Sequence, residues 1–531
     1  MKNYDVIVYG ATPGGIAAAC SAAELGASVL VAEPTGQVGG HWSSGICTTE
    51  YEHMLPVTFG GWMLRFLTEV GRRYGIAAPL HRWEPHVVEE TFQAVLDESG
   101  VEVRCSFRLT AAEVVSGKIR SIADDEGNRL CGRYYIDGSY GGDLMAAAGV
   151  PYAVGREGRD RYGESLAGVR FVDSVDEVRN SKGHALLYDQ VWPVDLRNGR
   201  GGLIEGVASA DAERLRRGAG DGRVMNYHFR VTVTKGAERI PFPRPENYRE
   251  ERFELFARYL KTYPETPYRK IIGFIDNPSG LYAPSRDGFP GYSEVVPGDK
   301  WELNNVQASV LSLGYLGGQF AYPEGDWRTR DAVVRDHYEY NAGLLYFLSS
   351  SPEIPAAVRE EGRRWGLPPD EYRANGHWPY QPYIRETRRM LGRYVLTQKD
   401  LLQDRGKEDA VLMNSHWIDC HHVERLALDE GSFRNEGRIW KELTRPYCVP
   451  YRALLPPEDC VSNLLVSGCV SASHVAFCSI RVESSWMGLG EAAGCAAVQA
   501  LSRDVGYDGV DVQALQETLR GRGVALYPSG T

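Results

Sequence analysis

Residues 4–33 read YDVIVYGATPGGIAAACSAAELGASVLVAE, and this stretch decides the fold. A short apolar run from Tyr4 ends at Gly10. An Ala-rich helical segment follows, with Gly26 placed as its C-terminal cap, and ASVLVAE is a second buried run. Strand, glycine turn, helix and strand within about thirty residues make the unit of a doubly wound parallel sheet. The turn GATPGG departs from GxGxxG because Thr12 stands at the middle glycine. Gly10 gives the tight turn and Gly15 allows close helix–strand packing. Pro13 suits a first helical turn, where its missing N–H costs nothing. Gly14 and Gly15 open a helix whose free N–H groups favour a pyrophosphate. Thr12 places a side chain where backbone approaches phosphate, and its hydroxyl is a candidate phosphate contact. Glu33 ends the second strand 18 residues past Gly15, where a carboxylate accepts hydrogen bonds from ribose hydroxyls. The alternative is a nucleotide-free α/β turn; strand context plus Glu33 favours a dinucleotide.

Working outward, residues 60–99 read as mainly helical and VEVRCSF as a strand. Three strand-like pieces follow to about residue 133, broken at SGK and DEGN. YYIDGS is a further apolar run ending in Asp137 and Gly138. Near the C-terminus NLLVSG is a buried strand ending at Gly468, and MGLGEAAGCAAVQAL is a small-residue helix entered through glycines. Residues 166–444 differ: strand-like HFRVTVT, Pro-rich IPFPRPENY and the long helical TRDAVVRDHYEYNAGLLYFLS. The nucleotide-binding pieces come from both ends, 1–165 and 445–531, so a mixed α+β domain is expected to be inserted between them.

At 531 residues the chain exceeds one simple core. A net charge of −11 argues against a nucleic-acid partner. No stretch of about 18 apolar residues is present to span a membrane, and no signal peptide is legible. Ten cysteines without a CxxC pair fit reduced thiols in the cytoplasm, and weigh against a dithiol reductase and an iron–sulfur cluster. Oligomeric state is not legible.

Nearly the whole chain resembles a family of FAD-dependent oxidoreductases whose members often carry xanthan-lyase-like descriptions. The resemblance rests on GATPGGIAAA, VGGHWSSG, YYIDGSYGGDLMAAAGVPYAVGRE, YIRETRRMLGRYVLTQKD, PYRALLPPEDCVSNLLVSG, SASHVAFCSIR and GLGEAAGCAA together. It implies FAD held by a discontinuous Rossmann-like α/β domain, with the inserted substrate domain capping the flavin. Carried over by position, Gly10, Thr12, Gly14, Gly15 and Glu33 hold the adenosine diphosphate and Leu109 lies against the adenine. Asp137 and Gly138 lie by the pyrophosphate. Gly488, Leu489 and Gly490 bring a helix N-terminus to the flavin pyrimidine. Three departures stand out: Thr12, the GSYGGD stretch, and His41 at a commonly apolar place.

Oxidation by a flavin needs a C–H aimed at N5 and a base for the accompanying proton. His474, beyond NLLVSG, is read as that base or as a hydrogen-bonded histidine behind the site. In WIDCHHVERL, Asp419, His421 and His422 are an acid/base pair, a substrate clamp or a polar strand edge. DCHH suggests a metal, but no second Cys/His cluster completes a four-ligand set, so none is expected. Arg481 and Arg452 flank the probable flavin segments. Arg385, Arg388 and Arg389 fall at helical spacing, as anion ligands or as partners of Glu386 and Asp400. Cys47 and Cys478 read as packing residues. Gly39 and Gly40 let the backbone of VGGHWSSG approach the cofactor, with His41 and Ser44 beside it. Eight extended residues reach at most about 26–29 Å, so a loop from Glu33 brings His41 to the isoalloxazine. Succinate dehydrogenase and fumarate reductase flavoproteins look similar here, which raises a covalent His41–flavin bond; the other reading is a neutral, hydrogen-bonded His41.

The functions in view are hydride-transfer dehydrogenation of a small polar substrate (sugar, polyol, amine or related metabolite), an NADPH-using monooxygenase, a lyase or hydrolase with structural or transiently redox-active FAD, and a non-catalytic flavin binder.

Overall fold

The structure is a computed structural model, describing residues 2–50, 53–179, 190–274, 296–305, 311–403 and 406–526. Strand β1 (Asn3–Tyr9) lies parallel between β2 (Val29–Ala32) and β6 (Arg129–Asp137), with Val8 opposite both Val31 and Ile136. Strand β3 (Glu102–Arg104) extends the sheet beyond β2, and Leu464–Val466 joins the far side of β6, also parallel. Strands β4 (Leu109–Val115) and β5 (Lys118–Asp124) add an antiparallel extension through β5–β6 pairing. The β4–β5 and β5–β6 turns fall at SGK and DEGN, with Ser116, Gly117 and Gly127 in the left-handed region. A parallel β2–β1–β6 core with a late strand added beside it is a Rossmann-like arrangement.

Helix α1 (Pro13–Glu24) starts as its sequence prescribes. Pro13 is its first residue, and the Thr12 hydroxyl accepts the Gly15 N–H at 3.0 Å. It packs backbone to backbone on the helix Glu483–Arg503. A Cβ on Gly490 would stand 1.9 Å from the Gly14 carbonyl oxygen, and one on Gly494 2.2 Å from that of Ala18. No side chain larger than hydrogen fits those contacts. Helices α2 (Gly61–Arg73) and α3 (Pro85–Glu98) complete this layer through Trp62, Phe66 and Phe92.

A second hydrophobic core gathers residues between Val194 and Phe433 around the antiparallel strands Val231–Thr234 and Lys300–Asn304 and the helix Trp327–Ser350. Strands Ala410–Asn414, Ile418–Cys420 and Tyr447–Pro450 pack instead into the first core through Val411, Ile418, Cys420 and Val449. Among the described residues no helix is long and apolar enough to cross a membrane. No two of the ten cysteines are joined in a disulfide.

The segment YIRETRRM is not helical. Arg388–Met390 forms a strand against Tyr152–Val154, so the three arginines diverge. Arg389 pairs with Glu386 and Glu157, Arg388 with Asp143 and Glu324, and Arg385 with none of these. Asp400 pairs with Lys407 rather than with an arginine.

Candidate active site

The turn after β1 and the end of β2 form one wall of a cleft. Glu33 is buried, and its carboxylate accepts the Ala11 N–H at 2.6 Å and the Thr35 N–H and hydroxyl at 2.8 and 2.7 Å. Burial raises its pKa against these bonds. Thr12 does not present its hydroxyl to the cleft as a free phosphate ligand: that group caps α1 and donates to the Gly138 carbonyl at 2.7 Å. Asp137 accepts from Ser139 N and Oγ and from Met145 N, so it shapes the loop of residues 138–145. Burial pushes its pKa up to about 6. Gly468 packs on that loop, where a Cβ would come within 2.4 Å of Ser139 O. Leu109 is buried beside the cleft, its carbonyl accepting the Trp327 indole N–H at 3.0 Å. The cleft encloses about 60 Å³ and is lined by Gly10, Glu33, Gly40, Tyr140, Trp327 and Arg330 among others.

His41 stands at the inner end. Gly39 and Gly40 both have positive φ, and a Cβ on Gly40 would lie 2.1 Å from the Tyr140 hydroxyl. The His41 ring stacks on Tyr140 at 3.7 Å and meets Tyr383 edge-on at 4.9 Å. Its Nε2 accepts the Ile384 N–H at 3.1 Å, which puts the ring proton on Nδ1, donated to Glu483 at 2.8 Å. Burial first, then Arg385, Arg230 and Arg481, hold its pKa well below the ordinary imidazole value, so His41 is neutral. Tyr140 donates to the same Glu483 oxygen at 2.5 Å. Burial pushes Glu483 up to about 8. Protonated, it carries its hydrogen on Oε2, which is buried without a protein partner. Both His41 ring nitrogens are thus engaged, and a covalent flavin bond at either one would replace a hydrogen bond.

Behind His41, three buried arginines surround the Tyr383 ring, with guanidinium carbons 4.5 Å (Arg385), 5.6 Å (Arg230) and 5.8 Å (Arg481) from its centre. Arg230 pairs with Glu302 and Glu50. Arg481 donates to the Tyr383 hydroxyl and the Asp419 carbonyl at 2.8 and 2.7 Å, with the Asp419 carboxylate at 3.6 Å. Arg385 is different. Fully buried, it contacts only neutral acceptors among the described residues: Asn226 O at 2.7 Å, His228 Nδ1 at 3.0 Å and Asn305 Oδ1 at 3.1 Å. Its Nε has no partner among them, and burial together with Arg481 and Arg230 lowers its pKa to about 9. Beside it His421 Nε2 lies 3.3 Å from the Asp419 carboxylate. Burial and then Arg385 lower the His421 pKa to about 3.

The family model for FAD dependent oxidoreductases matches residues 5–519. The chain belongs to the FAD dependent oxidoreductase family. Its cofactor is therefore FAD and it is an oxidoreductase. No curated protein matches the sequence. Among solved structures, it is similar to a flavin monooxygenase mutant from Stenotrophomonas maltophilia at 16% identity over 26% of this chain and 38% of that one, TM-score 0.20. An anhydrotetracycline hydroxylase from Streptomyces rimosus follows at 17% over 36% and 43%, TM-score 0.22. An L-proline dehydrogenase from P. horikoshii aligns at 11% over 30% and 59%, TM-score 0.23. The chain thus spans less than two thirds of each of these structures.

For a member of the FAD dependent oxidoreductase family the cleft supplies fitting donors and acceptors. Glu33 Oε2, which accepts one bond from the protein, retains acceptor capacity for a ribose hydroxyl, and the α1 N-terminus favours phosphate. Ser44 Oγ, Ser485 Oγ, Trp486 Nε1 and Glu483 Oε2 are buried polar atoms without partners among the described residues, on the two segments that meet at His41 and Glu483. Such atoms are costly unless something else satisfies them.

Other sequence-derived placements are corrected. Gly488, Leu489 and Gly490 are not at a helix N-terminus, because the helix starts at Glu483, and Gly490 serves the contact with α1. Arg452 is half-exposed at the surface, paired with Asp409 at 2.8 Å, and belongs to neither cleft nor arginine cluster. His474 is buried with Nδ1 on Glu386 at 2.9 Å and Nε2 toward Cys420 at 3.4 Å and Cys478 at 3.8 Å; both nitrogens face protein. Tyr140, Glu483, Tyr383, Trp327 and Arg330 were not singled out by sequence. Only Tyr140 carried a signal there, in the atypical GSYGGD stretch.

Proposed function

We propose that the chain is a dehydrogenase or oxidase of a small polar molecule bearing an acidic group, with segment 166–444 acting as an inserted cap that supplies much of the substrate site. Arg385 carries this reading. Among the described residues its fully buried guanidinium has no carboxylate partner, an arrangement strongly disfavoured unless an anion joins it. A substrate carboxylate or phosphate supplies that charge, with Arg481 and Tyr383 beside it. Neither sugar nor polyol meets the requirement unless it is acidic.

FAD, when bound, supplies the hydride acceptor at N5. The protein's own groups do the rest. Arg385 fixes the acidic group and so sets which C–H faces the cofactor. The tautomer of His421 that donates Nε2–H to Asp419 turns Nδ1 to the proton released from oxygen or nitrogen, and an acid bound at Arg385 offsets the charge that, after burial, most depresses this imidazole. Asp419 orients that ring and stabilises it once protonated, and His421 first, then Arg481, keep Asp419 ionised against burial. His41, held neutral between Ile384 and Glu483, adds no charge beside the cofactor.

The test is an anaerobic titration of the flavoprotein with matched pairs, each a small hydroxy or amino acid and its neutral amide. The reading expects the flavin to bleach with at least one acid and not with its amide. Equal bleaching by both, or bleaching by NADPH alone, overturns it, the latter in favour of a monooxygenase.

A further inference from the structure

The strand Ile418–Cys420 alternates its side chains. Asp419 points toward Arg481, and Cys420 points the other way, onto the helix His474–Ile480. That helix presents His474 and Cys478 four residues apart on one face. The Cys420 and Cys478 thiols and His474 Nε2 converge, all three ligand atoms lying within 4.8 Å of one another. All three side chains are buried, with His474 at 2% exposure and both cysteines at 0%.

We propose that Cys420, Cys478 and His474 bind a single zinc ion. Zn–S bonds of about 2.3 Å and a Zn–N bond of about 2.0–2.1 Å, at tetrahedral angles, give N···S edges of about 3.6 Å and an S···S edge of about 3.8 Å. The observed N···S separations are 3.4 and 3.8 Å. The ligand types are those of zinc sites, two thiolates and one imidazole, and together with the dication they leave no net charge in a buried place. The surroundings fit as well. His474 Nδ1 is fixed by the Glu386 carboxylate at 2.9 Å, the carboxylate–histidine–metal arrangement that directs Nε2 at an ion. Glu386 is in turn held by Arg389 at 2.6 Å, and Arg389 by Glu157 at 2.5 Å. The Cys420 thiol also reaches the His421 carbonyl oxygen at 3.3 Å, but hydrogen bonding explains the cluster less well, since a single Nε2 faces two sulfurs and can bond well to only one of them. Three protein ligands leave the fourth position to water or a reactant atom.

The ion would clamp the strand that carries Asp419 to the helix capped by Arg481, fixing that arginine beside Tyr383 against its Asp419 partner. The metal assignment itself does not depend on the substrate reading.

The experiment uses full-length flavoprotein, reduced, incubated with zinc and gel-filtered, with metal measured by mass spectrometry. About one zinc per chain is expected, falling at least tenfold in Cys478→Ser and in Cys420→Ser while FAD content is retained. Because those variants sit in a core, wild-type protein loaded with cobalt provides a reading of its own: a thiolate-to-cobalt charge-transfer band in the near ultraviolet. Wild-type protein that holds less than a tenth of an equivalent of zinc and shows no such band overturns the proposal. So does zinc that is equally abundant in both folded variants, or a Cys420–Cys478 disulfide in native protein that takes up no metal.

Discussion

Glu483 gives the sharpest stability prediction. Its carboxyl is buried, accepts hydrogen bonds from His41 and Tyr140 on one oxygen, and has no protein partner on the other. Burial raises its pKa from 4.5 to about 8. A raised carboxyl pKa means the folded protein keeps a proton that the unfolded chain releases. Relative to acid conditions, stability is therefore lost as pH rises from about 4.5 toward 8 and levels off above that. At about 1.4 kcal/mol per pH unit the full shift corresponds to ~5 kcal/mol, and relaxation of the site brings the expected loss to roughly 2–5 kcal/mol. Glu483→Gln keeps a carbonyl to accept the His41 and Tyr140 bonds and removes the titration. Denaturant unfolding of both proteins from pH 5 to pH 9 should show near-equal stability at pH 5 and the variant ahead by that margin at pH 9. Taking the difference at each pH cancels the titration of other groups. A difference that stays flat across the range would refute a neutral buried Glu483.

Glu33→Gln should weaken FAD binding about 10–100-fold, since a charge-assisted bond to ribose is worth roughly 1.5–3 kcal/mol; equilibrium dialysis of the flavin measures it. Gly490→Val places a branched side chain where even a Cβ stands 1.9 Å from the Gly14 carbonyl oxygen. It should destabilise the protein by at least about 1–3 kcal/mol, read as a lowered thermal midpoint. Acid precipitation should give a white pellet with FAD in the supernatant, because both His41 nitrogens already hold protein partners; a yellow pellet would show the covalent bond.

The nucleotide-binding half was legible because local rules govern it. Thr12, Pro13 and Gly15 sit within four consecutive positions whose backbone demands are met by residue type alone, and the SGK and DEGN turns mark strand ends directly. Tertiary pairing defeated the rest. Arg385, Arg388 and Arg389 carry a helical period, yet pairing of Arg388–Met390 with Tyr152–Val154 overrides it. Glycines 488–490 read as a helix entrance when their purpose is contact with α1. Cys420 and His474 lie 54 residues apart, and no spacing rule joins a strand end to the start of a helix in another segment. The solitude of Arg385 is a property of what surrounds it, and the sequence lists only what it is next to.

The central claim is that Arg385 anchors an acidic substrate beside the flavin. The most direct measurement is anaerobic stopped-flow reduction of wild type and Arg385→Met by an acid that bleaches the wild-type flavin. Loss of two charge-assisted bonds of roughly 1.5–3 kcal/mol each lowers the second-order reduction rate by about 10²–10⁴-fold, with FAD content unchanged. An Arg385→Met flavoprotein reduced by that acid at the wild-type rate and with the same concentration dependence would contradict the account.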